Sequence, residues 1–140
     1  MNTATFSTAS LDSKLGPIDL VERTLVGKKI SFTSPNTINL EPGNYVVNYT
    51  LMGNPAGPNE TVLVGLDING LAIPEATIGS ASYGTELSYS QAAGSYSLNV
   101  PTSSTLQLNS RTNVLYDVPG INAILAANNA QTAQITIYEV

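Results

Sequence analysis

The side chains that could do chemistry in this sequence are carboxylates and hydroxyls, because the chain has no histidine and no cysteine. That composition excludes serine–histidine catalysis, thiol catalysis and zinc sites built from the usual ligands. Carboxylate chemistry stays open, with Asp67, Glu75 and Glu86 in the middle of the chain. Their spacing places no two of them on one face by local geometry, and carboxylates are mostly solvated surface charges. We therefore expect no catalytic residue, no cofactor and no enzymatic activity.

The segment Asp67-Ile68-Asn69-Gly70 resembles part of a calcium-binding loop. It lacks the third oxygen ligand and the terminal glutamate that such a loop needs at the proper spacing. A hairpin turn explains the same four residues more simply, since Asn-Gly between apolar runs is the strongest short hairpin signal. The sequence therefore predicts a turn at Asn69 and Gly70, and no metal site.

Composition narrows the partners that this chain can have. The net charge is −5, and five Lys and Arg residues are too few to neutralise several phosphates, so we expect no nucleic-acid partner. No apolar run approaches the roughly 20 residues of a membrane span, and the first residues lack the basic and apolar regions of a signal peptide. Charged residues are only 11%, against about 25% in typical domains. A surface of hydroxyls and amides suits either an oligomer or a cell-surface protein.

Strands and turns account for almost the whole sequence. Val62, Val64, Leu66 and Ile68 alternate with other residues before the Asn-Gly turn. Pro74 should either place the returning strand over 71–78 at an edge or cut it short. Further short strand candidates are bounded by Gly, Pro or Asn, and cover residues 3–9, 18–26, 29–33, 37–40, 86–90, 95–100, 105–110 and 133–140. Residues 121–130, INAILAANNA, are interpreted as a loop or short turn because no cap is convincing. This pattern predicts one all-β sandwich or barrel domain over residues 1–140, with 1–29 as N-terminal strands or a linker.

The stretch INLEPGNYVVNYTLMG, residues 38–53, joins a turn to an alternating strand. Tyr45, Val47, Tyr49 and Leu51 share one face, so we expect these two tyrosines to pack in the core rather than bind a sugar. Tyr89 and Tyr116 occur in more polar surroundings, and they are candidates for an interface together with Tyr138 and the last strand.

The same stretch resembles the strand entry of jelly rolls in the tumour-necrosis-factor and complement-globular-head superfamily. The matching residues are Ile38, Leu40, Pro42, Gly43 and Tyr45, then GLDING from Gly65 to Gly70, the apolar residues Leu98, Val100, Leu106 and Leu108, and a closing strand that contains Ala133, Ile135 and Ile137. Within the superfamily, the chain is most similar to the C-terminal domains of bacterial collagen-like spore-surface (exosporium, BclA-like) glycoproteins, from about residue 30 to 140. No Gly-x-y collagen repeat precedes the matching region.

This resemblance implies an antiparallel jelly-roll sandwich of about ten strands that assembles as a homotrimer. It also implies a structural role, in which the domain brings three collagen-like chains into register on a spore or other extracellular surface. The alternative on the same fold is a lectin-like or phage-fibre head that binds a host receptor or glycan through loops 53–59 and 80–90, because function is grafted onto loops.

Overall fold

Apolar and polar residues alternate along most of the chain, and the alternating segments form strands. The computed structural model describes residues 1–8, 10–55, 61–81 and 88–140. Within those residues there are twelve strands, one helix and a short 3-10 turn at Pro74–Ala76. The elements are β1 (Thr3–Thr8), β2 (Lys14–Pro17), β3 (Val21–Val26), β4 (Ile30–Thr33), β5 (Thr37–Leu40), β6 (Gly43–Pro55), β7 (Thr61–Ile68), β8 (Leu71–Ala72), β9 (Ile78–Ala81), β10 (Ser90–Val100), β11 (Ser104–Leu115), α1 (Pro119–Ala127) and β12 (Ala133–Glu139). The prediction of an all-β fold with about ten strands is confirmed.

The strands form two antiparallel sheets that pack face to face. Sheet A has the order β3–β1–β12–β6–β10. In sheet B, β4 pairs with β5, β5 with β11 and β11 with β7, while β2 lies beside β11, and β8 and β9 pair with β7. The end of β6 also pairs with the end of β11, which joins the two sheets at one corner. This arrangement is an antiparallel jelly roll.

The core lies between the sheets and is filled by the inward positions of each strand. Tyr45, Val47, Tyr49 and Leu51 of β6 are all buried there, as are Ile135 and Ile137 of β12 and Leu40 of β5. The rings of Phe6 in β1 and Phe32 in β4 lie 5.0 Å apart, so an aromatic contact links the two sheets. The period-2 pattern of these strands therefore separates a buried face from an outward face.

The hairpin between β7 and β8 turns at Asn69 and Gly70, whose φ angles are 51° and 79°. Both residue types tolerate positive φ, as a tight two-residue turn requires. Strand β8 has only two residues, because Pro74 begins the 3-10 turn and has no N–H to continue the ladder. The chain then returns to β7 as β9.

Two of the predicted strands differ from the observed elements. The segment 18–26 is not one strand: β2 ends at Pro17, and Ile18 donates a backbone hydrogen bond to Leu108 before β3 begins. The strand predicted at 86–90 lies partly outside the described residues, and β10 begins at Ser90.

The segment 121–130 was predicted as a loop, and that prediction is wrong: Pro119–Ala127 is an α-helix. Pro119 stands in the first turn, where its missing N–H costs nothing. No side chain caps the N-terminus of the helix, and none of its residues is buried, so neither an N-cap nor an apolar face identifies it from sequence. At the other end, the Asn128 side chain donates to the Ile124 carbonyl at 2.8 Å. Tertiary hydrogen bonds hold it instead, as described below.

The turn between β5 and β6 is closed by Tyr45, whose hydroxyl donates to the Glu41 carbonyl at 2.7 Å. Beside this turn, Glu139 at the end of β12 pairs with Lys29 and accepts a 2.9 Å hydrogen bond from Asn2. Hydrogen bonding to Lys29 lowers the pKa of the Glu139 carboxyl. The cluster ties both ends of the chain to one end of the sandwich, because the Glu139 N–H also donates to the Asn2 carbonyl.

Candidate oligomer interface

The outward face of sheet A is a broad, regular surface whose residues follow from the strand register. Directly paired residues in antiparallel strands point to the same side. One cross-strand row is Val26–Thr3–Tyr138–Val46–Ser97, the next is Thr24–Thr5–Thr136–Asn48–Ser95, and the third is Val21–Ser7–Gln134–Thr50–Ala93. Each row crosses all five strands of the sheet.

Four of the five strands, β1, β6, β10 and β12, place no charged side chain on this face, and all of their residues are described. Arg23 of the edge strand β3 does reach it, where its Nε donates to Ser7 Oγ at 2.8 Å. Glu139 is the single charged residue in those four strands. It pairs in register with the buried Tyr45, and its carboxylate is bound by Lys29 at the edge of the sheet. A solvated sheet face normally carries charges that keep chains apart, and their absence marks a surface suited to contact with another chain.

Apolar side chains are concentrated in the first row of this face. Val26 is 50% exposed and Tyr138 is 42% exposed, and the half-buried Val46 follows directly in register. The Tyr138 ring therefore points outward, where another copy of the chain could contact it. Lower on the same face is a hollow of about 260 Å³, lined by Asn48, Thr50, Ala93, Gln134 and Thr136.

The outward face of sheet B has a different character. Arg111 and Asp67 form an ion pair at 2.6 Å there, with only 19% and 11% of their side chains exposed. Asn109 donates to the second Asp67 oxygen at 2.9 Å, and the Arg111 guanidinium also donates to the Leu66 carbonyl. A Cβ on Gly65 would overlap this guanidinium, so glycine makes room for the pair. The charged side chains of this cluster are thus paired within the chain.

Of the three tyrosines predicted at an interface, Tyr116 is the one that the structure moves inside. It is 9% exposed, and its hydroxyl donates to the Met52 carbonyl at 2.6 Å. Its ring meets the half-buried ring of Tyr89 edge-on, with centroids 5.9 Å apart. The expectation that Tyr116 faces a partner is therefore corrected. Tyr89 and Lys14, which lie in other segments, cover its ring, and the sequence around Tyr116 does not show this.

The Tyr89–Tyr116 pair anchors helix α1. The Tyr89 hydroxyl donates to Asn122 Oδ1 at 2.6 Å and accepts from the Val118 N–H at 3.1 Å. Asn122 in turn donates to the Tyr116 carbonyl at 2.8 Å. Sequence reasoning missed Asn122, since only the fold brings it to the Tyr89 hydroxyl. The helix itself stays outside the core, with Ile124 66% exposed.

Acidic residues do not gather into a metal site within the described part of the chain. Asp67 is occupied by Arg111 and Asn109, and Asn69 binds residues at the start of β11. The oxygens that resembled a calcium loop are thus used within the fold. The helix that the structure describes is much too short to cross a bilayer.

Burial of Tyr116 predicts a loss of stability at alkaline pH. Burial raises the pKa of its hydroxyl to about 12, whereas an unfolded tyrosine has a pKa of about 10. Between these values the unfolded chain releases the proton and the folded chain keeps it, so the free energy of unfolding falls as pH rises, by about 2–3 kcal/mol in total. Burial also raises the pKa of Tyr45 and Tyr49, which adds to the fall. Urea unfolding at steps up to pH 12 measures it.

The matched variant for this prediction is Tyr116→Phe, which should flatten the decline above pH 10. Lys14, whose ammonium lies 5.0 Å from the Tyr116 ring centroid, has the opposite tendency. Burial lowers the pKa of the Lys14 ammonium, so the folded chain releases this proton at a lower pH than the unfolded chain does. The free energy of unfolding therefore rises with pH as the Lys14 ammonium titrates, up to the ordinary lysine pKa. A decline of equal size in the wild type and Tyr116→Phe would show that the Tyr116 proton is not responsible.

This jelly roll is similar in fold to solved structures that include a TNF and a complement globular domain. The Eiger TNF from S. frugiperda superposes with a TM-score of 0.70 at 12% identity, over 99% of this chain and 91% of that one. Murine APRIL at pH 8.5 gives 0.65 at 7% identity, over 99% and 98%. The globular domain of the zebrafish complement 1qA protein gives 0.61 at 7% identity, over 99% and 95%. At these identities the likeness establishes the fold.

No protein-family model and none of the curated proteins matches the sequence. The support for the expected jelly-roll fold therefore comes from the comparison of structures. In that comparison, the three similar chains are matched over nearly their whole length.

Proposed function

We propose that this chain is a non-enzymatic assembly domain that forms a homotrimer through the outward face of sheet A. The observation that carries the proposal is the contrast between the two sheets. β1, β6, β10 and β12 place no charged side chain on that face, which has an apolar row at one end and Arg23 of β3 at its edge, whereas the outward face of sheet B contains the Arg111–Asp67 ion pair.

The composition of the face suits burial between copies. Its Ser, Thr, Asn and Gln side chains can donate to and accept from one another, so burial need not leave polar groups unpaired. Tyr138 is an aromatic anchor of the kind that dominates interfaces, and the hollow beside Asn48 can receive a side chain from a neighbour. Closed cyclic symmetry is the usual outcome for identical chains with such a contact.

The position of the chain ends supports the finer proposal of a trimerising head on a collagen-like bacterial surface protein. Asn2 and Glu139 are hydrogen-bonded neighbours, so a segment attached at either end would leave the sandwich at the same place. That place adjoins the row that contains Thr3 and Tyr138. Three stalks would then emerge together beside the shared face, on a spore or other extracellular surface.

The test is the molar mass in solution, measured by light scattering behind a sizing column. The expected result is a mass near three times the 14.6 kDa of one chain. A monomer across a wide range of protein concentrations would overturn the proposal. It would favour the alternative of a receptor- or glycan-binding head, whose candidate loops 53–59 and 80–90 fall partly outside the described residues.

A further inference from the structure

The turn at Asn69 and Gly70 has a chemical property that assembly does not use. Both residues are exposed, with φ angles of 51° and 79°. No heavy atom of a neighbouring element lies within 4 Å of the place where a Cβ on Gly70 would stand. The peptide nitrogen that follows the Asn69 side chain is thus free of the steric shielding that any other residue at position 70 would provide.

An asparagine followed by glycine can react with its own backbone. When the Gly70 N–H proton is lost, the nitrogen attacks Cγ of Asn69, the Cγ–Nδ2 bond breaks, and ammonia leaves with a proton. The product is a five-membered succinimide ring. Water then adds to one of the two ring carbonyls and opens the ring to aspartate or isoaspartate, so the reaction needs no reagent other than water.

The fold restrains the group that must move. Asn69 Oδ1 accepts from the Thr105 N–H at 2.9 Å, and Asn69 Nδ2 donates to Ser104 Oγ at 3.3 Å. The Asn69 backbone N–H also donates to the Thr105 carbonyl at 2.8 Å. Both side-chain hydrogen bonds must break before Cγ can swing to the Gly70 nitrogen, so reaction requires local opening of the turn from β11.

We propose that Asn69–Gly70 is a site of spontaneous deamidation that is kept unreactive by its docking to the start of β11. Isoaspartate would add a methylene to the backbone inside a two-residue turn, and would therefore shift the register of β8 against β7. The new carboxylate would also lie two residues from Asp67, a carboxylate that already pairs with the Arg111 guanidinium. Opening of the turn from β11 would thus permit the modification. The modified turn would then keep β8 from pairing normally with β7.

The experiment incubates the full chain in mildly alkaline buffer, folded or unfolded in urea, and follows each asparagine by peptide mapping. In urea, Asn69 should deamidate faster than any other asparagine, since the chain has no second Asn-Gly pair. In the folded protein the rate at Asn69 should be at least about tenfold lower, because only the open fraction reacts. Equal rates in the two states, or no reaction in urea, would overturn the proposal.

Two serine variants separate the restraint from general effects. Ser104→Ala removes one hydrogen-bond partner of Asn69 and should speed deamidation of the folded protein several-fold, with no change in urea. Ser31→Ala, at an exposed position on β4, should leave both rates unchanged. Circular dichroism establishes that each variant is folded, and a folded Ser104→Ala with the wild-type rate would show that docking to Ser104 does not restrain Asn69.

Discussion

Asn48→Lys is expected to convert the trimer into folded monomers. Asn48 is exposed in the single chain, at the middle of β6 and between Thr136 and Ser95 in its cross-strand row. If sheet A is the shared face, the new ammonium becomes buried against a surface without carboxylates. An unpaired buried charge costs several kcal/mol, and a trimer would contain three. Light scattering should then give a mass close to 14.6 kDa.

The control is Ser31→Lys, which adds the same charge to the outward face of sheet B. Ser31 is exposed on β4 and pairs with Asn39, so an added lysine can extend into solvent. We expect this variant to keep the wild-type mass. A trimeric Asn48→Lys would place the interface elsewhere, and dissociation by Ser31→Lys alone would assign it to sheet B. Circular dichroism of both variants distinguishes dissociation from unfolding.

Tyr49→Ala is expected to cost about 3–5 kcal/mol of folding free energy, as removal of a large buried side chain does. The Tyr49 ring fills the centre of the sandwich at 2% exposure, and its hydroxyl donates to the buried Ala76 carbonyl. Gly94 opposite is so close that a Cβ there would stand 2.8 Å from Tyr49 Cζ, so the ring fits its site without spare room. Urea unfolding at fixed protein concentration measures the change.

Tyr49→Phe is the matched variant, because it keeps the ring and removes only the hydroxyl. The Ala76 carbonyl then loses a hydrogen bond inside the protein, which costs about 1–3 kcal/mol. The difference between the two variants gives the contribution of the ring itself. A Tyr49→Ala protein as stable as the wild type would contradict the assignment of this residue to the core.

Local sequence patterns determined the strands and the nature of their faces. The alternation of Tyr45, Val47, Tyr49 and Leu51 corresponds to the buried side of β6, because side chains in a strand alternate between its two faces. The turn at Asn69 and Gly70 follows in the same way from two residues that adopt positive φ easily. Both features depend on neighbours in the chain, so the sequence contains what is needed to predict them.

Local sequence patterns did not predict helix α1 or the burial of Tyr116. The helix has no buried face and no side-chain cap at its N-terminus, and the distant Tyr89 holds it in place by donating to Asn122 and accepting from the Val118 N–H. Tyr116 stands between Leu115 and Asp117 at the end of β11, and it is buried because Tyr89 and Lys14 come to its ring from other segments. Neither outcome has a local signal.

By itself, the sequence determined that this protein is an all-β domain without histidine or cysteine chemistry, with alternating strands around an apolar core. The tertiary structure alone decided that β1, β6, β10 and β12 share an outward face to which none of them contributes a charge, because these strands are far apart in the chain. It also decided that Asp67 meets Arg111 and that Asn69 meets β11. The physical reason is that local periodicity sets the side to which a residue points, whereas strand pairing sets the residues that it meets.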